Sequence, residues 1–127
     1  MKIPEQYLPV MPYLILNDAR RFLEFAKTVF DASEQMIVPG ADGDGRAIMH
    51  GEIRIGDAVI MFADATDKWS EKSSGMFLYV KDVDNVWKKA KETGVTELMP
   101  PAMQEYGYSA GFSDPFGNQW WITKAED

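Results

Sequence analysis

Apolar and polar residues follow the same order twice along the chain. Leu14-Ile15-Leu16-Asn17-Asp18 leads into Ala19 to Lys27, and Leu78-Tyr79-Val80-Lys81-Asp82 leads into Val83 to Lys91. The offset is constant, since 82 − 18 = 64 and 90 − 26 = 64. Each copy reads as a strand, an Asp at the N-cap and an amphipathic helix. In the first helix Phe22, Phe25, Ala26, Val29 and Phe30 form one stripe. In the second, Val83, Val86, Trp87 and Ala90 do so, with Gly94 as C-cap. Such stripes are what a surface helix buries, so they are read as core.

The remaining segments alternate as strands. Glu34 to Val38 precedes a Gly/Asp loop, and Ala47 to Ile55 and Ala58 to Asp64 flank a two-residue Gly56-Asp57 turn, which predicts a hairpin. Its register sets Ile55 against Ala58, Arg54 against Val59, Glu52 against Met61 and His50 against Ala63. The polar residues His50, Glu52 and Arg54 then share one face. Met49, Gly51, Ile53 and Ile55 take the helix side with Ile60 and Phe62. Thr66 to Ser74 is polar and joins the halves. The second half predicts strand 76–80, helix 83–93, a short strand at 95–98, a break at Pro100-Pro101, strand 107–113, a turn at 114–118 and strand 119–124. Each half is therefore β-α-β-β-β, an α+β chain.

Asp114-Pro115-Phe116-Gly117-Asn118-Gln119-Trp120-Trp121-Ile122 joins a rigid turn to an aromatic strand. Alternation sends the two indoles to opposite faces, Trp120 and Ile122 toward the helix and Trp121 away from it. Tyr13, Phe77 and Tyr79 fall on the same side as Trp121. Tyr106 and Tyr108 lie just before the turn.

Composition narrows the chemistry. The 127 residues are 46% hydrophobic and 26% charged, enough for an ordinary core. No apolar run reaches the roughly 20 residues of a membrane span. The N-terminus lacks a signal-peptide layout, and with no cysteine a cytoplasmic location is expected. A net charge of −7 disfavours nucleic acid and suits a neutral or cationic small molecule. The single histidine, His50, excludes any site needing two imidazoles from one chain. Asp42-Gly43-Asp44-Gly45 lacks the downstream Glu of a helix-flanked calcium loop and reads as a surface turn. The lysines Lys88, Lys89 and Lys91 read as a solvated helix face.

Four segments carry a resemblance. Pro12-Tyr13-Leu14, His50-Gly51-Glu52-Ile53-Arg54-Ile55-Gly56-Asp57, Tyr79-Val80-Lys81-Asp82-Val83-Asp84 and Asp114-Pro115-Phe116-Gly117-Asn118 occur in the order that resembles the vicinal oxygen chelate superfamily. Its members are glyoxalases, bleomycin-resistance proteins and extradiol dioxygenases. The resemblance implies one domain over 1–127, with modules at about 7–64 and 75–124, curved mixed sheets around a cavity, helices outside, and a homodimer. Metal-using relatives place His or Glu at four positions. Here these fall on Met11, Met61, Gly75 (or Met76) and Trp121. None suits a divalent ion, so no metal or other cofactor is expected.

The expected ligand site is Tyr13, His50, Glu52, Arg54, Met61, Phe77, Tyr79, Tyr108 and Trp121. An aromatic concave surface with a few polar groups is the usual profile of a small-molecule pocket. The first expectation is sequestration of an aromatic or cationic compound without a metal. The alternative is a lyase, isomerase or dioxygenase using a divalent metal, or His50 or Glu52 as base. The segment Tyr106-Gly107-Tyr108-Ser109 departs from the Gly-Asp-Arg pattern of relatives, so a charged pair there cannot be carried over.

Overall fold

A computed structural model of the chain describes residues 1–41 and 43–126. Asp42 of the predicted Asp42–Gly45 turn lies outside them. The fold is mixed α+β, with two four-stranded mixed sheets, neither closed, and one helix to each. The chain divides into two compact units, Met1–Ser73 and Ser74–Asp127.

In the first unit, β1 (Tyr13–Leu16) leads to α1 (Ala19–Phe30), then β2 (Ser33–Pro39), β3 (Ile48–Ile55) and β4 (Ala58–Asp64). The sheet order is β1-β4-β3-β2, with β1 parallel to β4 and the other pairs antiparallel. Asp18 caps α1 by accepting from the Arg21 N–H at 3.3 Å. It does so from the left-handed region, φ 68°, which Asp tolerates better than most residues. The stripe predicted for α1 is buried to the last residue, together with Ala19 and Leu23. Phe22 meets Phe62 edge to face at 5.2 Å. Gly51 is what lets that ring lie flat on the sheet, because a Cβ there would sit 2.5 Å from the Phe62 ring.

The second unit repeats the plan with β5 (Gly75–Val80), α2 (Val83–Glu92), β6 (Thr96–Gln104), β7 (Gly107–Ser113) and β8 (Gln119–Lys124) in the order β5-β8-β7-β6. Asp82 caps α2 through the Asn85 N–H at 3.0 Å. Gly94 takes φ 87° just beyond the helix end, the conformation expected of a C-terminal glycine. Val83, Val86 and Ala90 are buried, while Trp87 is partly exposed and touches Phe112 edge to face at 6.3 Å.

The hairpin register is the predicted one, Ile55 to Ala58, Arg54 to Val59 and Glu52 to Met61. Two sequence expectations need correction. Pro100-Pro101 does not break the chain. β6 runs through both prolines, with register shifts between Glu97 and Met99 and between Met99 and Ala102. β6 is an edge strand, so its prolines need not donate to a neighbour on the outer side, and the irregularities absorb their fixed φ. Met49 does not pack toward the helix but is 62% exposed, while Ile48 is buried. The shift in pairing between Val38 and Pro39 changes the alternation at this end of β3.

Candidate functional site

The Asp114 turn shows how local chemistry fixes an aromatic strand. The buried Asp114 carboxylate accepts from the Phe116 and Asn118 N–H groups, the Asn118 side-chain amide and the Trp120 indole N–H, at 2.8–2.9 Å. Gly117 supplies φ 91° within the turn. Trp120 is thereby held fully buried beside its cross-strand partner Phe112. The alternation of β8 then sends Trp121 to the other face.

On that face Trp121 lies across its partner Gly111, where a Cβ would come within 2.2 Å of the indole. Phe77 pairs with Trp121 from β5 and is 52% exposed. Tyr79 is 5.4 Å from Phe77, and Tyr106 is 6.2 Å from it. Tyr79 and Tyr106 are also exposed. The second unit thus presents an open aromatic surface on the side away from α2. Below it, Ser109 and Thr123 satisfy each other at 2.7 Å. Tyr108 is not part of this surface. It projects to the other face, where its hydroxyl donates to Asp84 at 2.7 Å, and that carboxylate raises the phenol pKa.

In the first unit His50, Glu52 and Arg54 share the face away from α1, and Glu52 is its centre. Only 1% exposed, its carboxylate accepts from the Tyr7 hydroxyl (3.0 and 2.9 Å), the Gln35 side-chain amide (3.0 Å) and His50 Nε2 (2.7 Å). Burial pushes the Glu52 pKa up, but the hydrogen bonds from Gln35, His50 and Tyr7 and the charge of His50 outweigh it. The net result is a carboxyl held below its ordinary value. The same hydrogen bond to Glu52, with burial, raises the Tyr7 phenol.

A carboxylate with lowered proton affinity and three donors already bonded to it is a poor general base. Its clearest effect is on His50. Glu52 can only accept, so Nε2 carries a proton. The other nitrogen, Nδ1, lies 3.0 Å from the Tyr13 hydroxyl, accepting from it when the ring is neutral and donating to it when the ring is charged. Arg54 differs from its neighbours. Its Nη1 is buried and has no hydrogen-bond partner. Met61, between these residues and β1, is partly exposed and pairs with Tyr13.

Tyr13 also borders a cavity of about 750 Å³ in the first unit. Ile15, Ala47, Ile48, Met49, Ala63 and Trp69 supply much of its wall. Trp69 is a large residue on this wall that sequence reasoning passes over. It sits in a polar connection with no periodic pattern, and a lone exposed Trp there was the available signal.

The structure brings together Tyr13, His50 and Glu52, and separately Phe77, Tyr79 and Trp121. Tyr108 joins neither group. Among the described residues no cluster of three or more His, Asp or Glu side chains is gathered. The positions where metal-using relatives place ligands offer thioethers, a glycine and an indole. An indole N–H has no lone pair to give, and this ring is spent covering Gly111, so the donors do not fit a divalent ion.

Comparison with known proteins gives a consistent result. A family model described as Glyoxalase/Bleomycin resistance protein/Dioxygenase superfamily matches residues 8–122. An uncharacterized protein of Mycobacterium bovis is 30% identical over 121 residues, covering 86% of this chain and 78% of the relative. Among solved structures, a Pseudomonas aeruginosa protein superposes with a TM-score of 0.74 at 21% identity, covering 95% of this chain and 100% of the other. An antibiotic binding protein from a Streptomyces species has a TM-score of 0.69 at 20% identity, covering 94% and 100%. A fosfomycin resistance protein from Mesorhizobium loti has a TM-score of 0.65 at 20% identity, covering 98% and 95%.

Proposed function

We propose that this chain, which belongs to the Glyoxalase/Bleomycin resistance protein/Dioxygenase superfamily, binds a small planar aromatic molecule without a metal ion. The observation that carries this reading is the indole of Trp121, laid over Gly111 beside the exposed rings of Phe77 and Tyr79. Four rings at one open face, counting Tyr106, offer stacking to a flat ligand. A cationic ligand gains further from ring faces and from the net charge of −7. The protein sequesters this ligand rather than transforming it, a reading supported by the buried Glu52 carboxylate, whose oxygens are already bonded to Tyr7, Gln35 and His50. The absence of cysteine supports a cytoplasmic setting, and the habit of the family supports a homodimer.

Tryptophan fluorescence titration with a planar aromatic cation such as ethidium is the direct test, combined with metal analysis of protein purified without chelator. The expected result is saturable quenching that Trp121→Leu abolishes, with no stoichiometric divalent ion. Quenching that survives Trp121→Leu, or that requires a bound divalent ion, overturns the reading.

A further inference from the structure

The two copies of the repeat complete the start of their helices differently. In the first unit Asp64 ends β4 opposite Leu16. Its carboxylate accepts from the Ala19 N–H at the start of α1 and from the Ile48 N–H at the start of β3, each at 2.7 Å. The repeat carries Leu16 onto Val80, Asp18 onto Asp82 and Ala19 onto Val83 (19 + 64). The cap aspartate is therefore kept. The second carboxylate is not, because the residue opposite Val80 is Lys124. Val83 is 1% exposed, and among the described residues nothing accepts from its N–H. An idle backbone donor on a buried residue is rare in folded proteins.

Val83 and Lys124 both line a cavity of about 430 Å³ on the helix side of the second sheet. Its volume falls in the range of small-molecule pockets, roughly 300–1,000 Å³. We propose that this cavity binds a small carboxylate, whose oxygens do in the second copy what the Asp64 side chain does in the first. One oxygen accepts from the Val83 N–H, and the Lys124 ammonium supplies the opposite charge. The positive end of the α2 dipole adds to the attraction.

Charge selects a monoanion. Lys81, Lys124, Asp82 and Asp84 all line the cavity. Both aspartates are engaged, Asp82 with the Asn85 N–H at 3.0 Å and Asp84 with the Tyr108 hydroxyl at 2.7 Å. Among the described residues neither lysine has an ion-pair or hydrogen-bond partner. A phosphate dianion would set two charges against Asp82 and Asp84, and a cation would meet two unpaired ammonium groups. The first copy shows that a cap aspartate tolerates one further carboxylate, since Asp18 holds the Arg21 N–H while Asp64 holds that of Ala19. Met103, 74% exposed on the same wall, offers contact to a short apolar tail.

Butyrate fits this description, and butyramide is its uncharged counterpart. Amide NMR titration, with butyrate replacing chloride at constant sodium, should move the Val83 N–H resonance downfield and saturate with a Kd of about 1–10 mM. Butyramide should leave that resonance in place. Lys124→Gln should weaken butyrate binding about fivefold or more. Lys124→Asp restores the arrangement of the first copy within the chain. Its Val83 resonance should lie downfield without any butyrate and should no longer respond to it. The amide spectrum of each variant reports directly whether it is folded. The assignment is overturned if the Val83 resonance does not move, if butyramide moves it equally, or if folded Lys124→Gln binds butyrate as well as the unaltered protein.

Discussion

At the scale of single residues, Glu52 and Arg54 sit two positions apart on one strand face and are treated oppositely. Glu52 has every oxygen lone pair it needs engaged, and Arg54 keeps a buried donor idle. Glu52→Gln would turn an amide N–H₂ toward one of the donors Tyr7, Gln35 or His50. It should destabilise the protein by about 2–4 kcal/mol in urea unfolding. The pH dependence follows from the direction of each shift. Glu52 is held below the ordinary carboxylate value, so its contribution is whole above that range and is lost as pH falls through the lowered value. The acid limb of the stability profile should therefore be shallower in Glu52→Gln. Tyr7 is held above its ordinary 10.0, so its contribution is whole below that value and is lost as pH rises through the raised one. Tyr7→Phe should flatten the alkaline limb. Arg54→Met removes an unsatisfied donor and should raise stability by about 1 kcal/mol, read as a higher denaturation midpoint.

At the scale of elements, the same glycine device appears twice with different outcomes. Gly51 admits the Phe62 ring on the helix side, and Gly111 admits the Trp121 ring on the open side. Gly51→Ala forces a buried ring to move and should cost about 1–3 kcal/mol of stability. Gly111→Ala pushes against a partly exposed ring that has room to swing. Its main effect should be a red-shifted Trp121 emission and weakened ligand quenching. The Asp114 turn underlies that strand. Asp114→Ala strips four hydrogen bonds from the turn, including the one holding the Trp120 indole, and should lower stability by about 3 kcal/mol or more.

For the molecule as a whole, the repeat is preserved in strand position, helix capping and sheet order, yet the two sheet faces have diverged. One bears a buried carboxylate network beside an apolar cavity, and the other bears exposed rings. Ionic strength tests the reading of the face that bears the rings. A planar cation held with help from the net charge of −7 should bind more weakly as salt rises from 0.05 to about 0.5 M, because exposed charges are screened over a Debye length of about 10 Å at 0.1 M. Ethidium titrations read by tryptophan quenching at each salt concentration measure the effect.

The sequence by itself determined what depends on neighbours along the chain. The repeat of 64 positions carries Tyr13 onto Phe77 (13 + 64) and Leu16 onto Val80 (16 + 64), matching β1 to the last four residues of β5. Both Asp caps, the Gly56-Asp57 hairpin register and the opposed indoles follow from local turn chemistry and a period of two. Tertiary structure decided the rest. Tyr7 reaches Glu52 across 45 positions, and Gln35 reaches it from a strand whose register shifts between Glu34 and Met36. No periodicity encodes such a meeting. Tyr108 shows the same limit, since nothing local along the chain announces that its hydroxyl donates to Asp84, 24 positions away. A single chain reveals which residues can line a face. Which of them satisfy one another, and which are left for a ligand, depends on partners brought together only by packing.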